Sequence, residues 1–428
     1  MNEEDRTRLE QFRQFKKEIR GSAEYLIVGI DVAKDKHHAF FGTATGKTLL
    51  KRLVFDNSLE GFEKLLVQVD ALKVQHVLGK VVFGLEPTGN YHKPLGEHLI
   101  RCGHRVVLVS GVAAHENRKT LDGRWDTNDT RDAANVADLV SQGKCLFYEF
   151  AVGALQDLRD LLSLKRRLRR QEQGMRVRIR NHLLAKYFPE LDRYCERSWA
   201  GSLAIVRWCL DPSVIAGLEY EAFAQRVAPG KRRLSQESRL QAIWKLAGDS
   251  IGCEVGSSVE FEGKVMVDGL KQIREVITAT EEKIEEICSS YPEYSCLRSI
   301  PGFGPDVSAK VLGAIGDPFR FQNGKQVLKL AGLDLNAERS GKTSEAAVPV
   351  ISKKGKADLR YALYQAAFIA SSKNQGFMVY YTHKLRGRER EPGIKTKMRV
   401  KLAAKLLIMA WTLMKKKEPF NPDYLKPE

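Results

Sequence analysis

Four acidic residues stand where an enzyme would need them to hold a hard metal ion. Asp31 closes the apolar run Leu26–Ile30, and Glu86 closes a second run, Val81–Leu85, just before Pro87. Asp129 and Asp132 lie three residues apart, which puts both on one face of a helix. A carboxylate at the end of a buried strand is costly unless a cation or hydrogen bonds satisfy it. Four convergent carboxylates suit oxygen-seeking Mg²⁺ or Mn²⁺, with room for two ions on a scissile phosphate. One ion would activate the attacking oxygen and the other would stabilise the leaving oxygen. Each acid also has a plainer use: Asp31 can start the turn before Lys34, and acids near a helix N-terminus are favourable in themselves. Asp129 and Asp132 repel each other, so something positive should sit between them. His115, Asp122, Asp126 and Asp138 are near in sequence but complete no strand-end or i,i+3 pattern.

A nucleophile is the second requirement. Arg339-Ser340-Gly341-Lys342 precedes Ser352-Lys353-Lys354-Gly355-Lys356 and Arg360. Gly341 lets the backbone approach a phosphate closely, and Lys342, Lys353, Lys354 and Arg360 can neutralise it. Ser340 in that setting can attack phosphorus, although a loop serine is usually only solvated. Ser344 and Ser352 are rivals on local chemistry. Of nine histidines only His383 lies beyond His182, so no Ser–His pairing is evident near Ser340. Activation then has to come from elsewhere, and a carboxylate-bound metal is the natural source. Upstream, Gly302-Phe303-Gly304 before a helical run is similar to a helix-hairpin-helix turn, whose backbone N–H groups hold a DNA phosphate. Such turns also serve as plain connections.

The elements that position these residues read as follows. Tyr25–Asp31 is a strand buried on both faces, Lys36–Phe41 continues it into a hairpin, and Val81–Glu86 and Arg105–Val109 are further strands. Helical patterns at Leu59–Leu72 and Tyr91–Leu99 separate them, giving an α/β layer fold. Thr127 or Asn128 can cap the helix of Asp129 and Asp132, which carries a buried stripe of Ala133, Val136, Ala137 and Val140. From Leu155 to Lys186 no proline appears, and Leu161, Leu164, Leu168, Met175 and Ile179 form a heptad-like stripe, which predicts a long helix or coiled coil ending at Pro189. That helix carries Arg166, Arg167, Arg169 and Arg170 with few acids beside them, so phosphate contact is preferred over a merely solvated face. Residues 190–260 read as short helices and loops without chemistry. Val265–Cys288 is helical again and is expected to pair back antiparallel. The stripe Leu402, Leu406, Met409 and Leu413 marks a buried final helix.

Composition agrees with a polyanionic partner. The 428 residues suffice for two or three domains, and 70 Lys and Arg against 53 Asp and Glu give a net charge of +17. Met1–Arg20 is highly charged and unlike a signal peptide, and Leu402–Met414 falls short of a membrane span. Seven cysteines without a CxxC pair argue for a reducing compartment and against structural zinc. There is no GxxxxGK[ST] motif, so no ATP requirement is expected.

The motifs IDVAKD, LEPTGNY and NDTRDA resemble those of the DEDD transposases of the IS110 family, and the likeness is spread along most of the chain. The resemblance implies an RNase-H-like first domain similar to Holliday-junction resolvases of the RuvC type, with the metal on Asp31, Glu86, Asp129 and Asp132. It implies that Ser340 attacks DNA and forms a covalent phosphoserine link, guided by a structured "bridge" RNA. It further implies subunit contacts through the long helices, in a homo-oligomer that is a dimer or, with DNA strands aligned, a tetramer. The expected fold class is α/β plus α, with boundaries at 1–24 (extension), 25–150 (RuvC-like), 151–290 (helical or coiled-coil), 291–420 (mainly helical, with the serine) and 421–428 (tail). The expected location is the bacterial or archaeal cytoplasm, at the nucleoid. Two rivals remain: a metal-only junction endonuclease that uses water, and a non-catalytic nucleic-acid scaffold. Carboxylates facing phosphate without a metal would harm a scaffold.

Overall fold

The run Tyr25–Asp31 forms strand β1, buried along its length until Asp31. A computed structural model describes residues 3–121, 129–149, 153–195, 199–336 and 350–425 of the chain. These divide into two compact units, Met1–Val152 and Gly153–Glu428.

In the first unit α1 (Glu3–Glu18) precedes β1, which is followed by β2 (Lys36–Thr43), β3 (Thr48–Asp56), α2 (Leu59–His76), β4 (Lys80–Leu85), α3 (His92–Arg101), β5 (Arg105–Leu108), α4 (Gly111–Leu121), α5 (Asp129–Ser141) and β6 (Leu146–Phe147). The sheet order is β3-β2-β1-β4-β5-β6. β1, β2 and β3 form an antiparallel meander, while β4 and β5 run parallel to β1. The chain must cross over to make those parallel pairs, and α2 and α3 serve as the crossovers. Alternation along β1 sorts the core into two layers. Leu26, Val28 and Ile30 pack with Phe62, Leu65 and Leu95 of α2 and α3. Tyr25 and Ile27 pack on the other face with Ala114, Val136 and Val140 of α4 and α5. The segment before Tyr25, expected as an extension, contributes to that second layer: Phe15 and Ile19 are fully buried in it.

Among the described residues the second unit is helical apart from a short ribbon. Its first helix, α6 (Ala154–Arg178), passes into a π-helical turn, Ile179–Leu184. Six shorter helices follow: α7 (Ala185–Tyr187), α8 (Asp192–Cys195), α9 (Trp199–Trp208), α10 (Pro212–Ala216), α11 (Tyr220–Val227) and α12 (Leu234–Gly248). The long α13 (Ser257–Ser289) then returns antiparallel along α6, as the sequence predicts: Glu172 meets Arg274, while Lys165 and Arg169 meet Glu281. Of the heptad-like stripe, Met175 and Ile179 pack in one cluster with Val267 and Leu270 of α13. Residues 190–260 form short helices joined by loops, and Phe223 and Ile243 among them share a core with Phe188 and Leu270. The rest comprises α14 (Pro292–Arg298), α15 (Pro305–Ile315), α16 (Gly324–Ala331), the ribbon β7 (Leu335–Asn336) with β8 (Val350–Ile351), α17 (Ala357–Lys373), α18 (Gln375–Leu385) and α19 (Ile394–Lys416). Leu297, Ile315, Leu363, Phe377 and Leu406 anchor its core. No helix among the described residues is long and apolar enough to cross a membrane.

Candidate active site

Strand parity decides where the first two acids point. Asp31 has the parity of Tyr25 and Ile27, and Glu86 that of Val82, so both belong to the face covered by α4 and α5. Ile30 is the register partner of Leu85, and the Glu86 N–H reaches the Ile30 carbonyl at 3.5 Å. Asp31 and Glu86 are therefore level at the carboxyl ends of adjacent parallel strands. Two glycines let α5 lie directly on those strands. A Cβ on Gly84 would stand 2.6 Å from Val140 Cγ2, and Gly29 is just as closely covered by Ala133 and Ala137. That close approach brings the first turn of α5, with Asp132, over the strand ends. Asp129 opens α5; its side chain, like residues 122–128 with the candidate caps Thr127 and Asn128 and the lower-ranked Asp122 and Asp126, lies outside the described residues.

A cation already faces these acids. Arg118 Nε on α4 is 2.8 Å from Asp132 Oδ1, with both side chains largely buried. Burial pushes the Glu86 carboxyl above its ordinary range; Arg118 opposes this, and Asp31 and Asp132 push it further up. Glu86 also sits at the start of α4, where a Cβ on Gly111 would lie 3.3 Å from its Oε1. As they stand, no three His, Cys, Asp or Glu side chains among the described residues are arranged to hold a metal ion.

Two further features escaped the sequence reading. Asn117 donates to Asn135 Oδ1 and to Asp138 Oδ2, both at 2.8 Å, and Asn135 donates to the Ala114 carbonyl at 2.8 Å. This network pins α4 to α5 and gives Asp138 a structural task. His38 is the register partner of Asp31 and shares its face. Its neighbour His37 is fully buried on the other face, accepts from the Ala33 N–H at 3.3 Å, and so ties down the turn after Asp31. Only the repulsion between Asp129 and Asp132, which calls for a positive group, hinted at Arg118.

In the second unit Ser340, Gly341 and Lys342, with the rival Ser344, lie outside the described residues. Ser352 donates to Asp334 Oδ1 and accepts from the Lys354 N–H, as a turn serine does. Lys353 has a left-handed backbone (φ 55°), and Arg360 donates to the carbonyls of Ala331 and Lys353, tying that turn to the end of α16. Gly302 (φ 90°) lies against α17, where a Cβ would meet the Ala366 carbonyl at 2.4 Å; Gly304 is the N-cap of α15. The first turn of α15 carries Asp306, which pairs with Lys165 and Lys310, each at 2.6 Å. The arginines of α6 are less alone than the sequence implied. Arg166 pairs with Asp358 at 2.8 Å, Arg169 pairs with Glu172 at 2.9 Å and Glu281 at 3.1 Å, and Arg167 donates to Ser163 Oγ. Arg166, Arg169 and Arg170 line a groove of about 810 Å³ shared with Lys310 and Lys356.

Comparison with known proteins gives concordant matches. A family model described as "Transposase" matches residues 28–189, and one described as "Transposase IS116/IS110/IS902 family" matches residues 294–382. A 43.6 kDa insertion element IS110 protein of Streptomyces coelicolor is 22% identical over 373 residues, covering 83% of this chain and 86% of its own length. The pilin gene-inverting protein of Moraxella lacunata is 27% identical over 398 residues, covering 92% and 97%. A 44.8 kDa insertion element IS116 protein of Streptomyces clavuligerus is 24% identical over 413 residues, covering 92% and 96%.

Proposed function

This chain belongs to the IS110 family of DEDD transposases, and on that premise we propose that it cuts and rejoins DNA with Ser340 as nucleophile and a divalent ion held by Asp31, Glu86, Asp129 and Asp132. The observation that carries this reading is the level placement of Asp31 and Glu86 on adjacent strand ends, with Asp132 facing them through Arg118. The sheet order, an antiparallel meander beside two parallel strands, supports an RNase-H-like fold for the first unit. The donor set is all oxygen, and burial, with Asp31 and Asp132 adding to it against Arg118, raises the proton affinity of Glu86, so a hard cation such as Mg²⁺ or Mn²⁺ suits the site. A bound ion supplies Lewis-acid stabilisation of charge on the phosphate oxygens.

In the proposed chemistry the Ser340 hydroxyl loses its proton and its Oγ bonds to phosphorus. One deoxyribose oxygen leaves and is protonated. In the rejoining step a new deoxyribose hydroxyl attacks the phosphoserine and Ser340 departs. One phosphoester replaces another each time, so no nucleotide triphosphate is consumed. Arg167 and Arg170 would contact nucleic-acid backbone, and so would Lys342, Lys353 and Lys354. The name of the gene-inverting relatives supports rearrangement of DNA as the outcome. Guidance by a structured RNA and a homo-oligomeric assembly complete the proposal, and the net charge of +17 accords with a nucleic-acid partner.

Trapping decides the central step. Wild type on cognate DNA should leave a covalent protein–DNA adduct on denaturing gels, and Ser340→Ala should not. Cleavage without any adduct would favour the water-using endonuclease. Sequencing RNA that copurifies with the protein tests the guide, and a heterogeneous pool would remove it.

A further inference from the structure

We infer that Arg118 is the resident counter-cation of the carboxylate cluster, neutralising it in the metal-free protein and leaving Asp132 when a divalent ion enters. The inference rests on the proposed metal site and concerns a residue outside it. Arg118 Nε sits 2.8 Å from Asp132 Oδ1, and the Asp132 side chain is only 16% exposed. Three carboxylates in a half-buried site would otherwise repel one another with little solvent to screen them.

Oδ1 of Asp132 is already committed, so a metal cannot take that oxygen until the guanidinium moves. The backbone is not free to relax instead, because Asn117, next to Arg118, is bonded to Asn135 and Asp138 of α5. What can move is the long arginine side chain itself. It is 29% exposed, so solvent lies within its reach. A divalent ion carries twice the charge of a guanidinium and takes several carboxylate oxygens at once, so it should win the exchange at sufficient concentration. Once displaced, Arg118 stays beside the site as a cation able to meet an incoming phosphate.

The test is Mn²⁺ titration of full-length, nucleic-acid-free protein by calorimetry, with melting temperatures in EDTA and in Mn²⁺. Arg118→Met keeps most of the side-chain volume and removes the charge. It should bind Mn²⁺ about five- to tenfold more tightly than wild type, the weight of one partly buried ion pair that no longer needs displacing. Its melting temperature should fall in EDTA and recover with Mn²⁺. Equal or weaker Mn²⁺ binding by a folded Arg118→Met protein overturns the inference. Should that variant not fold in EDTA, Arg118→Lys decides in the same way. Its compact ammonium loses the forked geometry, so its Mn²⁺ affinity should exceed that of wild type by a smaller factor, and an unchanged affinity overturns the inference. Asp31→Asn separates the two layers. If it leaves Mn²⁺ binding untouched, the carboxylate metal site fails and this inference with it. If it abolishes binding while both Arg118 variants match wild type, only the role of Arg118 fails.

Discussion

Gly29 of β1 lies so close beneath Ala133 of α5 that a Cβ placed on it would stand 2.2 Å from the Ala133 carbonyl oxygen. Neither partner is the tip of a flexible side chain, so the contact cannot be relieved by a rotamer change. Gly29→Ala must lift the start of α5 off the sheet, and Asp132 lies in that turn. A destabilisation of about 1–3 kcal/mol is expected in chemical denaturation, typical of overpacking. The surviving folded protein should lose divalent-ion binding and strand cleavage. Unaltered Mn²⁺ affinity in the variant would show that α5 is not set by this contact.

Neighbouring acids should respond to neutralisation in opposite directions. Glu86 is held above its ordinary range by burial, against the pull of Arg118, and by Asp31 and Asp132. A raised folded-state value means that its contribution is fully present below the ordinary carboxylate value and is lost as pH rises through the folded value. Metal-free Glu86→Gln should therefore melt above wild type at neutral pH, with the gap closing as pH falls into the carboxylate range. Asp132→Asn removes the partner of Arg118 and should melt below wild type at neutral pH. Melting curves in EDTA from pH 4 to pH 8, about the span the carboxylate range requires, check both. A common direction for the two variants would contradict the pairing.

Buried imidazole gives a second pH signature. His37 is fully buried between Phe55 and Phe62, and burial lowers its proton affinity; the Asn57 side chain opposes this and His38 adds to it. A lowered folded value keeps stability above the ordinary imidazole value and loses it as pH falls toward the folded value. His37→Phe should flatten that loss by up to about 1.4 kcal/mol per pH unit, one proton's worth. It also strips the Ala33 N–H of its acceptor, so stability at neutral pH should fall. An equally steep pH profile in the variant would move the effect to His92 and His104, which burial also lowers.

Arg166, Arg167, Arg169 and Arg170 of α6 should not behave alike. Arg167 and Arg170 are exposed, and Arg167 donates only to the neighbouring Ser163 hydroxyl among the described contacts, so replacing both by alanine should leave stability unchanged. If each contacts a phosphate, the log–log salt slope should fall by roughly 0.7–0.9 per residue. Arg169 shares the buried Glu172 with Arg274, and its loss should cost about 1–2 kcal/mol by weakening a charged hydrogen-bond network. A nucleic-acid slope untouched by Arg167→Ala with Arg170→Ala would assign those two to a solvated face.

Asp31 and Glu86 are legible in the sequence because an apolar run that stops on an acid fixes both the strand and the end of it. The helices that cross between strands are legible for a similar reason, since their period differs from that of the strands. Arg118 is not legible: it lies between Asn117 and Lys119 with no periodic signal to say which way it points. α1 is hidden by its charge, because Leu9 and Phe15 are too sparse to announce a buried face. The pairing of Arg166 with Asp358 spans 192 residues, and that of Lys165 with Asp306 spans 141. A local count of acids therefore makes α6 look more strongly cationic than its folded surroundings leave it.

The antiparallel course of α6 and α13 has a practical outcome for anyone handling this protein. Met175 near the end of α6 touches Gly269 near the start of α13. The six helices strung between those points thus leave and re-enter the second unit side by side, like the bight of a rope. The exposed turn at Gly230, with its left-handed backbone, is the natural place to splice in a reporter. Cargo fused there should leave the spacing of every residue discussed above as it was.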